Sequence, residues 1–404
     1  MKWLPCIACL AGACAACAGT QVLSSNRLEL GREVMHSIYS LDYAAAERTC
    51  QRIIQADPDD PFGYALLARN VWAEQLQKGQ GLTIDRFSGS EFYYGTPDQA
   101  ITVSPEAERR FRNASDSAVA RARARLARNP ADLGAMFSLG LVLETHASYE
   151  FTIKASGWAA FKEAESALRM HRSVLAAAPD FADARLAQGV SYYAAASVPW
   201  SIRWLTSLLG YRGSKSRGKR ELEFVASHGV ILADDARTLL VLLHSRDGEL
   251  DLAARQLEEL GRRYPRNYLV PLELAAIGLR QHQPQKAISI YQSVLSNVQN
   301  RAAGYTSLDS SHVYLRLGVA ARASGDLGSS VTWLDRVLSN RETNGGANAR
   351  LRAAAHLELG KTRDLRGERP LAIAQYRLVL EAEDFLGSRR EAQSLLAHPF
   401  RSAR

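Results

Sequence analysis

A pattern that recurs a little over forty residues apart toward the C-terminal end constrains this chain more than any other feature. One copy reads Tyr314-x-x-Leu317-Gly318, then Ser330-x-x-x-Leu334-x-x-Val337. The next reads His356-x-x-Leu359-Gly360, then Ala372-x-x-x-Tyr376-x-x-Val379. Apolar and small residues three or four apart mark one face of a helix. Ser324-Gly325-Asp326 and Arg366-Gly367-Glu368 supply a tight turn inside each copy. A two-helix unit of this size cannot bury its apolar face alone, so its repetition predicts a solenoid whose core grows by stacking. Arrays of this kind bind more often than they catalyse.

The bulk properties agree. A chain of 404 residues is too long for one ordinary core but normal for stacked hairpins. Ala and Leu dominate, Pro is sparse and strand-like alternation is nearly absent, which predicts an all-α protein. The net charge of +8 favours anionic partners or anionic lipid surfaces without singling out nucleic acid. At the N-terminus, Met1-Lys2 precedes an uncharged run of small and apolar residues from Trp3 to Ala18. Residues 1–18 read as a secretory leader, too short and weakly apolar for a membrane span. Its four cysteines, Cys6, Cys9, Cys14 and Cys17, lack the spacing and turns of a zinc knuckle and read as small leader residues. Leu10-Ala11-Gly12-Ala13-Cys14 is a loose lipobox, which makes Cys14 a candidate lipidation site. Cys50, alone after the leader, is expected to fill core.

Further copies run through the chain. Ala236 to Pro265 carries Leu239-Leu240, the turn Asp247-Gly248, then Ala253, Leu257 and Leu260. Leu274-Ala275 is followed by Ala287, Tyr291 and Val294, and near the start Leu30 and Val34 precede Ala46, Cys50 and Ile53. A Leu-Gly or Leu-Ala step on the first helix, and small, aromatic and apolar residues on the second, resemble the tetratricopeptide repeat family. The resemblance implies a right-handed superhelical solenoid of about eight helical hairpins with a capping helix near Gly387 to Leu396. It also implies an exported bacterial protein that holds a protein or peptide on its concave face, built from the first helix of each hairpin. On this register Tyr64, Arg69, Tyr149, Gln188 and Tyr192 are the candidate binding residues.

Two insertions interrupt the array, at 78–103 and 199–220. The first is rich in Gly and aromatics, and a loop of that length is often functional. The second holds Trp200, Trp204 and Leu208, followed by Lys215 and Arg217. It reads either as an interfacial helix on a membrane or as packing against the stack. Leu208-Leu209-Gly210-Tyr211 with Gly213, Gly218 and Leu222 is also faintly similar to a helical-repeat family of lipid droplets and outer mitochondrial membranes.

No phosphate loop, nucleophile elbow or His-Glu-x-x-His is present, and the His residues lack ligand spacing. No cofactor or metal is expected. The arginines between Arg109 and Arg128 read as a solvated face, without the aromatics that single-stranded nucleic acid requires. The sequence therefore reads as residues 19–404 forming a non-catalytic, exported scaffold, periplasmic or membrane-anchored. A membrane-surface assembly factor is one alternative. An enzyme with a site among Asp85, Glu91 and Asp98 of the first insertion is the other.

Overall fold

The computed structural model describes residues 21–79, 101–197, 213–340, 346–382 and 387–401. These residues hold seventeen α-helices and no strand. The first hairpin is α1 (Ser25–Tyr39) with α2 (Tyr43–Ala56), the second α3 (Pro61–Lys78) with α4 (Pro105–Arg128), the third α5 (Leu133–Thr152) with α6 (Gly157–Ala177). A 3-10 turn at Ala182–Arg185 leads into α7 (Leu186–Ser197), which pairs with α8 (Lys215–His228). Four more follow: α9 (Ala233–Arg246) with α10 (Leu250–Arg263), α11 (Leu269–Arg280) with α12 (Pro284–Gln299), α13 (Ser310–Ala323) with α14 (Leu327–Ser339), and α15 (Gly346–Leu365) with α16 (Arg369–Glu381). The cap is α17 (Ser388–Ala397). Each helix packs on the next along the chain, as in a linear stack. The expected all-α hairpin solenoid is the observed one.

The helix ends have local causes. Ser24, Asp42, Ser104, Asp132 and Asp326 each accept a backbone N–H of the first helical turn, which has no carbonyl partner within the helix. Pro61, Pro105 and Pro284 open their helices where a missing N–H costs nothing. Gly325 and Gly367 turn the repeating hairpins at φ of 85° and 75°, a region that costs other residues strain.

The helices form two layers. Second helices are amphipathic: α10 buries Ala253, Leu257 and Leu260 and leaves Asp251, Arg255, Glu258 and Arg262 outside. First helices are enclosed on more sides, and α5 buries every residue from Phe137 to Leu143. The small residues of the repeat sit where the layers cross. Gly318 and Gly360 are buried, and a β-carbon on them would lie 2.7 Å from Leu334 and 2.4 Å from Tyr376. Ala253, Ala287 and Ala372 are fully buried, and Cys50 fills the same layer, its thiol pushed up by burial.

The first helices of hairpins one and two also reach hairpins five and six. The Tyr39 hydroxyl, at the end of α1, donates to Asp235 of α9 at 2.7 Å. Arg69 of α3 pairs with the same carboxylate at 2.5 Å and touches Thr145 of α5 at 3.4 Å. Asn267 donates to the Tyr39 carbonyl at 2.8 Å, and Gln77 of α3 donates to the Tyr268 hydroxyl at 2.5 Å. The Tyr264 ring stacks on Tyr39, and its hydroxyl donates to Asp234. The inner side of these hairpins is thus packed interior.

One titrating group on α13 has a consequence for stability. Burial, reinforced by Arg316, lowers the pKa of half-buried His312 to about 4. The unfolded chain binds this proton near 6.5, so between those values the unfolded state holds more protons and folding weakens as pH falls. The melting temperature should drop from pH 6.5 toward 4, with about 2 kcal/mol of the loss belonging to this imidazole. His312→Gln should show a shallower decline over that window; parallel curves for the two proteins would refute the assignment.

Candidate functional site

The structure places the five first-helix candidates in different surroundings. Arg69 is buried, 6% exposed, in the ion pair with Asp235. Burial alone would lower its pKa; Asp235 and Glu144 more than reverse this and hold the guanidinium charged. Tyr149 is 2% exposed, stacks on Phe111 of α4 and donates to Glu108 at 2.9 Å. Tyr64 lies under Arg121 of α4 and Tyr192 under Arg217 of α8, each 4.1 Å from cation to ring centroid. Gln188 is half-buried. They do not assemble into one open face.

The arginine run of α4 is divided in the same way. Arg110 reaches Glu47 and Glu74, Arg121 donates to the Pro58 carbonyl, and Arg125 pairs with Asp132 at 2.9 Å. Arg109, Arg112, Arg123 and Arg128 are exposed. Alternation of inward and outward arginines gives no continuous anion ridge. Beyond the second insertion, Lys215 pairs with Asp247 at 2.6 Å. Trp200, Trp204, Leu208, Cys14, the leader 1–18 and the acidic trio Asp85, Glu91 and Asp98 lie outside the described residues. Among the described residues no cluster of three His, Cys, Asp or Glu side chains could hold a metal ion. No helix among them is long and apolar enough to cross a membrane.

The last two hairpins carry a site that the sequence reading missed. Pro399 disfavours a helical His398, which is extended at φ −128° and ψ 121°. The chain therefore leaves α17 and returns across the C-terminal ends of α13 and α15. There the Phe400 N–H donates to Asp364 at 2.8 Å. The Phe400 ring lies 5.0 Å from the Arg322 guanidinium and 5.8 Å from the Lys361 ammonium, within cation–π range. Glu358 sits between these cations, 2.5 Å from Arg322 and 2.7 Å from Lys361. Burial pushes the Glu358 carboxyl up, and the two cations more than offset it, so its pKa is lowered and it stays ionised. Asp364 is fully enclosed and also accepts from Tyr376 at 2.8 Å and twice from Arg369 at 3.0 Å. Arg369 in turn donates to the Leu395 and Leu396 carbonyls, closing the end of α17. The legible signal was His398-Pro399-Phe400, a proline two residues past a helix followed by a large ring.

A separate surface stands out for its exposure. Trp158 and Phe161, one turn apart on α6, are 74% and 47% exposed, and their rings stack at 5.9 Å.

Comparison with known proteins finds only distant structural likenesses. No family model matches it, and no curated protein does. Among solved structures, yeast Tom70 is similar over 89% of this chain and 86% of its own, at 11% identity and a TM-score of 0.39. A tetratricopeptide repeat protein from Parabacteroides merdae is similar over 82% and 99%, at 14% identity and a TM-score of 0.32. Human IFIT1, solved with m7Gppp-AAAA, is similar over 93% and 86%, at 12% identity and a TM-score of 0.42. The class defined by the helices themselves is an all-α solenoid of hairpins with a polar, cationic seat at its C-terminal end.

Proposed function

We propose that this chain is a non-catalytic scaffold that binds a protein or peptide on the first-helix side of its last two hairpins. The observation that carries the reading is the Phe400 seat: side chains from two adjacent hairpins grip one extended segment by a main-chain N–H and an aromatic ring. That is how a protein surface reads another polypeptide. Placement in the cell envelope belongs to the same proposal and rests on the leader. Mass spectrometry of the mature protein should find a new start at Gly19 or an acylated Cys14.

The scaffold reading is tested by a photoreactive amino acid at exposed position 401, beside the seat, against one at Leu378 on α16. Position 401 should yield an adduct with one discrete protein, and that protein, purified, should bind the chain in solution. An array that gives no adduct from 401 in its own cells is not a scaffold of this kind.

A second reading, contact with a membrane surface, is favoured by the stacked Trp158–Phe161 pair. The Ser214 N–H meets the Tyr192 carbonyl at 2.9 Å and ties the start of α8 to α7. Lys154 and Lys162, close to the pair along the chain, are exposed and basic. The unlipidated protein should associate with anionic liposomes at low salt and release at high salt. Trp158→Glu should weaken this association at least fivefold without unfolding; no association of the parent at low salt eliminates the reading.

A further inference from the structure

We infer that residues 398–401 are a built-in ligand, and that their seat recognises extended peptides in which an aromatic residue follows proline. The inference rests on the scaffold reading and names the partner's chemistry. Three features of the seat support it.

First, the contacts read a peptide rather than a fixed helix end. Pro399 has no N–H, and the seat asks for none there; the next N–H, that of Phe400, is taken by Asp364. Proline also holds the preceding residue extended, which the observed His398 geometry repeats. The ring then rests on Arg322 and Lys361, one from each of two successive hairpins. An aromatic face satisfies both cations, whereas an aliphatic side chain of similar size offers them no negative face.

Second, the seat keeps its ion pairs when empty. Asp364 keeps Arg369 and Tyr376. Arg322 and Lys361 keep Glu358, and Lys361 keeps Glu391. Losing the segment leaves no buried charge without a partner, so one occupant can replace another.

Third, the segment is held more lightly than the helix before it. Arg369 ties α17 through two carbonyls. Past Ala397 the described main chain makes one hydrogen bond to a side chain, that of Phe400, apart from the helix-closing bond of His398. His398, Pro399 and Arg401 are exposed. The cap and the ligand are therefore separable parts.

The test uses the full chain and a fluorescent peptide with the sequence of residues 394–401. In Phe400→Ala the seat is vacant, and fluorescence anisotropy should show the peptide binding at least tenfold more tightly than to the parent chain. The same peptide with alanine in place of phenylalanine should bind neither protein. Equal, absent binding to parent and folded variant overturns the inference and leaves the segment as a cap. Should the variant not fold, hydrogen exchange on the parent chain decides. Excess peptide should speed exchange at the Phe400 amide while α16 stays protected; an unchanged rate overturns the inference. The two proposals fail separately. A cellular adduct at 401 without peptide binding keeps the scaffold and removes the built-in ligand. Peptide binding without an adduct keeps the seat and removes the scaffold, the occupant then being the chain itself.

Discussion

Replacing Asp235 with alanine should cost about 3–5 kcal/mol, the largest effect expected of any substitution considered for this chain. The reason is the charge left behind. Arg69 is 6% exposed, and apart from Asp235 it meets Thr145 at 3.4 Å and the Trp72 ring at 5.8 Å. Without Asp235 a guanidinium that cannot lose its proton stays buried with no carboxylate in contact, and only the more distant Glu144 offsets its charge. Tyr39 would lose its acceptor as well, keeping Thr238 at 3.1 Å. Urea unfolding should show a lower midpoint at unchanged slope. The pair Arg69→Met with Asp235→Leu should recover most of the loss, because an apolar pair of similar volume removes the stranded charge. A loss below 1 kcal/mol for Asp235→Ala would mean that the hairpins do not meet as described.

Gly360→Leu should destabilise by about 3 kcal/mol, the upper end for an overpacked core. Even a β-carbon at this position would lie 2.4 Å from the Tyr376 ring. The ring cannot step aside cheaply, since its hydroxyl donates to enclosed Asp364 at 2.8 Å. Gly360→Ala should fall between parent and Leu variant. Thermal unfolding checks the series, and an unchanged melting temperature for Gly360→Leu would reject the crossing. Gly318 faces the flexible end of Leu334, so the same substitution there should cost less.

Much of this fold could be read locally. The Leu-Gly steps at 317–318 and 359–360 marked the crossings, and the turns at Gly325 and Gly367 marked the hairpins. Pro61 and Ser104-Pro105 marked helix starts. Such signals act within one hairpin, where spacing along the chain equals spacing in space. What escaped depends on residues far apart. Nothing near Arg69 announces Asp235, 166 positions on. A cation on a first helix therefore looked like part of an open groove when it is part of the interior. Tyr149 misled for a related reason: the repeat register gives its helix, but Phe111 and Glu108, which claim its ring and hydroxyl, sit on the preceding hairpin, Glu108 41 positions earlier. Phe400 escaped because the capping helix was read as the end of the array, and the residues after Leu396 were left without a role.

The bonds from Tyr39, Arg69 and Gln77 to the fifth and sixth hairpins also limit how such a chain can change in length. An ordinary open array tolerates gain or loss of a unit anywhere, because each unit knows only its neighbours. Here the second and fifth hairpins must remain the same number of units apart. Duplicating or deleting the third or fourth would carry Asp235 away from Arg69 and strand both charges. Growth is free beyond the sixth hairpin, which is where the peptide seat lies. The first six hairpins thus behave as a unit of fixed size, and new recognition surfaces can be added or lost at one end without disturbing it.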